Sequence, residues 1–126
     1  PIILHIALPV ATDRLVQETL FQLADNGIIC VVIAAHRLPA RKNLIRVAPV
    51  DRFGGKMDRS VKPEDVDLWA LGDSLIGAHI INPETYFLQS GSRPATAVAT
   101  GLISRALAAN EFQTTKNELN KDLSLS

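Results

Sequence analysis

The sequence predicts an α/β fold: a single layered domain with a mainly parallel sheet and the element order β-α-β-(edge β)-α-β-α. The first 36 residues show the pattern strand, helix, strand, and apolar runs continue to alternate with helical periodicity further along the chain. With 126 residues, 47% of them hydrophobic, the chain is also able to bury a core. We expect the domain to cover residues 1–112, followed by a polar tail at 113–126.

The opening βαβ unit is the most regular part of the sequence. Residues 2–8 are an apolar run of strand length, and a segment with helical spacing follows Thr12-Asp13. Asn26-Gly27 is expected to end this helix, because glycine readily adopts the left-handed conformation that closes a helix. Residues 28–35 are rich in β-branched side chains, which favours a second strand parallel to the first.

The middle of the chain is predicted to be less regular. Residues 44–48 form a short strand, which Pro49 ends because proline lacks a backbone donor. We expect this strand at the edge of the sheet, with Arg46 facing solvent. Residues 49–62 contain two adjacent glycines and are predicted to be a loop.

The second half of the chain is predicted to hold two helices and a third core strand. Pro63 suits the first turn of a short helix that Gly72 closes. Residues 74–81 are an apolar run expected to join the sheet, and residues 83–94 are expected to be a loop. Apolar residues on one side of residues 95–112 then predict the last helix.

Charge is unevenly distributed along a chain whose net charge is zero. Residues 37–62 carry a net charge of +6, whereas residues 1–36 carry −2 and residues 63–126 carry −4. This basic segment could face an anionic partner, nucleic acid or an acidic patch of a neighbouring subunit. Phe53 is its only aromatic residue, so stacking on single-stranded bases is poorly supported. The candidate anion-binding residues are Arg41, Lys42, Arg52, Lys56 and Arg59.

A ligand site is expected beyond the carboxyl ends of the strands, where open α/β sheets bind their ligands. The candidates at those positions are Asp13, His36, Arg37, Asn82 and Glu84. A simpler interpretation is that Asp13 only caps a helix and that Arg37 is only solvated. No glycine-rich phosphate loop, nucleophile elbow or zinc-binding helix is present, so we predict no cofactor and no metal site.

An alternative interpretation starts from Pro1, whose secondary amine could act as a base if it is a free terminus. A start of Pro, a short strand and a helix opening at Thr12-Asp13 is similar to the tautomerase superfamily, and the stretch LPARKNLIRVAPVDRFGG resembles that family's second strand and following glycine turn. The resemblance implies that Pro1 is the catalytic base and that Arg37 or Arg41 holds a substrate carboxylate. It also requires the first helix to continue through residues 26–33.

The sequence as a whole favours a non-catalytic binding or assembly module over an enzyme. We expect a homo-oligomer, because Trp69, Tyr86, Phe87, Leu88 and the Ala-rich last helix offer more apolar surface than a thin sheet needs. No run is long enough to span a membrane, and the single cysteine, Cys30, is expected to be a buried free thiol. A cytoplasmic location is the resulting expectation.

Overall fold

The chain folds into a parallel four-stranded sheet with a helix on each face and a separate β-hairpin. The computed structural model describes residues 2–10, 12–78, 81–82 and 84–125, with side chains through Asn110. In chain order the elements are β1 (Ile3–Ile6), α1 (Arg14–Asp25), β2 (Ile29–Ile33), β3 (Leu44–Val50), β4 (Leu68–Leu71), β5 (Leu75–Ala78), β6 (Tyr86–Gln89) and α2 (Ser92–Leu125). The sheet has the order β1-β2-β3-β4, and β5 pairs with β6. The predicted α/β class is confirmed.

Helix α1 begins and ends at the predicted signals. Asp13 is its N-cap, and Oδ1 of Asp13 accepts hydrogen bonds from the Leu15 and Val16 amides at 2.9 and 3.2 Å. Asn26 is the C-cap, and Gly27 follows with a φ of 90°. This backbone conformation would be strained in an L-residue that has a side chain. The helix therefore stops before β2, whose Cys30 is in register with Leu4 of β1 in a parallel pair.

The side chains of the sheet alternate between two apolar layers. On β2, Cys30 and Val32 face α1, whereas Val31 faces α2. Helix α2 packs closely on its face through Ala95 and Ala99, which have no exposed surface. A third cluster, of Ala34, Ala48 and Val61, packs against Val66 and Trp69 near β4. This double coverage explains why the central strand β2 is a continuous apolar run.

Cys30 is the buried thiol that the sequence predicts, with no exposed surface. Burial raises the pKa of the Cys30 thiol above its ordinary value of 9.0, which keeps the thiolate scarce at neutral pH. We expect Ellman's reagent to modify Cys30 far more slowly in the native protein than in the urea-unfolded chain, when the absorbance of the released thiolate is followed at constant reagent concentration. Equal rates in the two states would contradict this burial.

Strand β3 corrects the prediction of an edge strand with a solvated arginine. It lies between β2 and β4, and Arg46 is only 4% exposed. Nε and Nη2 of Arg46 donate to the two carboxylate oxygens of Asp67 at 3.0 Å each, and Nη1 donates to the Leu38 carbonyl at 2.9 Å. A charged side chain is tolerated inside because every part of the guanidinium has a partner.

Pro49 does not end β3 as predicted; the strand continues to Val50. The carbonyls of Arg46 and Val50 accept hydrogen bonds from the β4 side, whereas the Val47 carbonyl accepts one from Ala34 after β2. Successive residues of a strand direct their backbone groups to opposite sides, so the nitrogen of Pro49 faces the side of β2. The pairing with β2 ends at Val47, and β2 therefore has no paired residue beside Pro49. The missing donor therefore costs no ladder hydrogen bond.

The predicted helix from Pro63 to Gly72 is also wrong. A single 3-10 turn spans Pro63–Asp65, and β4 follows it at Leu68–Leu71. Within β4, Leu68 and Ala70 pack toward α2, whereas Trp69 packs with the cluster on the other face. Such a short apolar segment is compatible with the periodicity of a helix and with that of a strand, and its pairing with β3 makes it a strand.

The segment predicted to be a third core strand forms half of the hairpin instead. β5 pairs antiparallel with β6, which lies in the expected loop at 83–94. Helix α2 begins at Ser92, three residues before the predicted start, and its backbone continues through the expected tail to Leu125. Neither α1 nor the described part of α2 combines the length and hydrophobicity needed to cross a membrane.

Candidate functional site

A candidate site lies at the carboxyl edge of the parallel sheet, in a pocket of about 770 Å³ that we call the edge pocket. Segments from five parts of the chain line it: the ends of β1 and β2, the β3–β4 connection, the end of β6 and the start of α2. Its lining residues are Pro9, Ile33, Ala34, Ala35, His36, Asp58, Ser60, Leu88, Gln89, Ser90, Ser92, Arg93 and Pro94. This is the edge at which the strand-end rule predicts a ligand.

Backbone contacts fix the α2 wall of the pocket against the sheet. The Gly91 amide donates to the Gly72 carbonyl at 2.7 Å, which ties the start of α2 to the end of β4. The Ser74 amide donates to Oγ of Ser90 at 2.9 Å and holds the end of β6 beside them. The wall that carries Arg93 is therefore part of the rigid fold.

The polar side chains of the pocket differ in how far they are engaged. The guanidinium of Arg93 is exposed and has no hydrogen-bond or ion-pair partner among the described residues. Oδ1 of Asp58 accepts hydrogen bonds from the amide and hydroxyl of Ser60 at 2.9 and 2.6 Å. Nδ1 of His36 lies 3.8 Å from Oδ2 of Asp65, which does not line the pocket. Among the charged side chains described in the pocket wall, Arg93 is therefore the one without a partner.

One of the five predicted ligand residues, His36, lines the edge pocket. Arg37 follows it with a φ of 72° and an exposed side chain. Asp13 caps α1, as the simpler interpretation expected. Asn82 and Glu84 lie in the β5–β6 turn, where Oδ1 of Asn82 accepts from the Glu84 amide at 3.1 Å. The structure does not bring these two residues to the pocket, because their strand is not part of the parallel sheet.

The basic segment is divided between the two ends of the sheet. Arg41 and Lys42 precede β3 at its amino end, where Arg41 makes two hydrogen bonds to Asp25 at 2.9 and 2.7 Å and lies over the Phe21 ring. These hydrogen bonds from Arg41 hold the pKa of Asp25 below its ordinary value of 3.8. Two of the predicted anion-binding residues therefore lie away from the edge pocket.

The other three predicted anion-binding residues follow β3 at its carboxyl end. Nε of Arg52 lies 3.7 Å from Asp73, and Nζ of Lys56 lies 5.1 Å from the centre of the Trp69 ring. Arg59 has no such partner among the described residues, and it stands between Asp58 and Ser60 of the pocket. With Arg46 buried between the two ends, residues 37–62 do not form one continuous basic surface.

The tautomerase-like alternative lacks the helix that it needs. α1 ends at Asp25, and β2 occupies residues that would have to be helical. Pro1 itself lies outside the described residues. Among the residues with described side chains, no group of three or more His, Cys, Asp or Glu is placed to hold a metal ion.

The sequence interpretation missed Arg93, an exposed basic side chain that lines the edge pocket. The available signal was a lone arginine between Ser92 and Pro94, directly before the predicted last helix. The local sequence does not reveal the role of Arg93, because it is the packing of α2 on the sheet that brings Arg93 to the pocket that His36 also lines. Comparison with protein-family models found no match, and no curated protein matches the chain either.

Proposed function

We propose that the chain is a non-catalytic binding and assembly module that self-associates through its β-hairpin and presents the edge pocket to an anionic partner. The observation that carries this proposal is the outer face of the hairpin. Ile76 is paired with Leu88 and Ala78 with Tyr86, so all four side chains lie on one face, which we call the hairpin face. Ile76, Tyr86 and Leu88 are 75, 72 and 66% exposed.

A hairpin of this kind gains stability from a partner. Two strands alone are marginally stable in water, and burying one exposed Ile or Leu contributes about 1.5–3 kcal/mol. Of the two aromatic residues of β6, Phe87 is half-buried and Tyr86 is exposed. Of the other residues predicted to self-associate, Trp69 packs in the core cluster near β4.

A second copy of the chain is the occupant that best fits the hairpin face. Neither β5 nor β6 contains a charged residue, so a face-to-face contact would bury no charge from either strand. The chain has no net charge, so two copies do not repel one another over long range. A twofold contact would place each hairpin face against the same face of its partner.

The anionic partner is supported by the cations around the edge pocket. Arg93 lines the pocket, and Arg37 and Arg59 are next in sequence to pocket residues. None of the three has a hydrogen-bond or ion-pair partner among the described residues. The basic segment therefore contributes to this edge through Arg37 and Arg59 rather than along its whole length.

Sedimentation equilibrium across a wide range of protein concentrations tests the assembly. We expect the wild type to dimerise and Ile76→Glu to raise the dimer dissociation constant at least about tenfold, because it buries a carboxylate at the interface. Leu15→Glu is the matched control: Leu15 is 72% exposed on α1, beside an apolar groove at β1.

Two outcomes would contradict the hairpin assignment. A wild type that stays monomeric at every concentration would remove self-association altogether. Dissociation by Leu15→Glu but not by Ile76→Glu would instead place the interface at the groove formed by Leu4, Ile6, Leu15 and Val16.

A further inference from the structure

The edge pocket has the size and lining of a small-molecule site. Its volume of about 770 Å³ lies within the usual range for such sites, about 300–1,000 Å³. Apolar groups form much of its wall: Pro9, Ile33, Ala34, Ala35, Leu88 and Pro94. These residues come from both sheets and α2, so the apolar wall exists only in the folded chain.

The charged groups of the pocket select for a single negative charge. Arg93 can offer two parallel N–H donors, the geometry that suits a carboxylate. Among the described residues, neither Asp58 nor Asp65 makes a hydrogen bond or ion pair with Arg93: Asp58 accepts from Ser60, and Oδ2 of Asp65 accepts from the Lys62 amide at 3.0 Å. The acidic side chain of Asp58 also lines the wall, and its presence disfavours a doubly charged phosphate more than a carboxylate.

We propose that the edge pocket binds a small monocarboxylate with an apolar body. Arg93 holds the carboxylate, and the aliphatic part lies along the wall formed by residues 33–35 and Leu88. This inference rests on the anionic partner of the proposed function and gives that partner a chemical class. It does not require self-association through the hairpin face, although Leu88 belongs to both surfaces.

The first test compares octanoate with its neutral counterpart 1-octanol by NMR titration of the amide resonances of the full chain. We expect saturable octanoate binding at least about tenfold tighter than that of 1-octanol, because only the carboxylate engages the guanidinium. The largest shifts are expected at residues 34–36 and 90–93, a result that would place octanoate in the edge pocket and not elsewhere on the protein. Arg93 also borders a second cavity of about 650 Å³ lined by His5, Leu75 and Val98, so shifts confined to those residues would overturn the assignment.

The second test uses a matched pair of arginine variants on α2. Arg93→Met is expected to weaken octanoate binding at least about tenfold while leaving 1-octanol binding unchanged. Arg105→Met is the control, since Arg105 is exposed on the same helix but does not line the pocket. Equal octanoate affinity in Arg93→Met and Arg105→Met would overturn the role of Arg93.

Further outcomes separate this inference from the proposed function. No saturable binding of octanoate, or preferential binding of inorganic phosphate over octanoate, would overturn the monocarboxylate class. Sedimentation of the same samples reports on self-association. Because Leu88 belongs to both surfaces, each proposal is tested at a residue that belongs to only one of them, Ile76 for the hairpin face and Arg93 for the edge pocket. If the protein dimerises but does not bind octanoate, only the ligand inference is wrong. If the protein is monomeric and binds octanoate through Arg93, only self-association is wrong.

Discussion

Replacing Arg46 by methionine is expected to lower the free energy of unfolding by about 3 kcal/mol, the lower end of the range for breaking a buried ion pair. The substitution preserves much of the side-chain length but removes the guanidinium donors to both oxygens of Asp67 and to the Leu38 carbonyl. The backbone amide of residue 46 still donates to Oδ2 of Asp67, at 2.9 Å in the wild type. Asp67 keeps some contact with water, since its side chain is 34% exposed, which moderates the cost. Urea unfolding followed by circular dichroism measures the difference.

Arg41→Met is the matched control for this prediction. Arg41 also makes two hydrogen bonds to one aspartate, Asp25, but both side chains are solvent-exposed. We expect a much smaller loss of stability, because exposed ion pairs contribute little. Equal losses for Arg46→Met and Arg41→Met would show that burial does not set the strength of the Arg46 contact.

The contribution of Arg46 should also depend on pH. Partial burial raises the pKa of Asp67, but the hydrogen bonds and charge of Arg46 together outweigh burial and hold that pKa below 3.8. A carboxylate with a lowered pKa stabilises the fold above its unfolded pKa, and that stability is lost as the pH falls through the folded pKa. The stability difference between wild type and Arg46→Met should therefore narrow below pH 3.8. A gap that widens in acid would contradict this sign.

Gly72→Ala is expected to destabilise the protein by about 1–3 kcal/mol, the usual cost of overpacking. A Cβ at this position would lie 2.6 Å from the Gly91 carbonyl oxygen and 2.7 Å from Cβ of Pro49. Neither neighbour is the end of a flexible side chain, so β4 and the start of α2 would have to separate. The change should lower the urea midpoint without abolishing the fold.

Gly101→Ala is a control for which the expected change in stability has the opposite sign. Gly101 lies within α2, and a Cβ there would meet nothing within 4 Å. Alanine favours the helix over glycine by up to about 1 kcal/mol, so this variant should be more stable than the wild type. Destabilisation by both substitutions would show that the contacts at Gly72 are not the cause of its effect.

The sequence by itself determined the elements whose signals are local. Asp13 and Gly27 mark the two ends of α1 through interactions within a few residues, and β-branched residues make β2 a strand. The α/β class follows because a strand, helix and strand in so few residues leave a parallel pair as the simplest arrangement. The carboxyl edge of the sheet, with His36, was predictable for the same reason.

Only the tertiary structure decided the elements whose partners are distant in sequence. Arg46 is buried because Asp67, 21 residues later, neutralises it, and residues 68–71 become a strand because β3 offers a free edge. The edge pocket likewise joins Pro9, His36, Asp58 and Arg93, which no local pattern connects. A chain's local preferences set which segments are helical or extended, but burial and pairing energies between remote segments decide where charges lie and which side chains share a site.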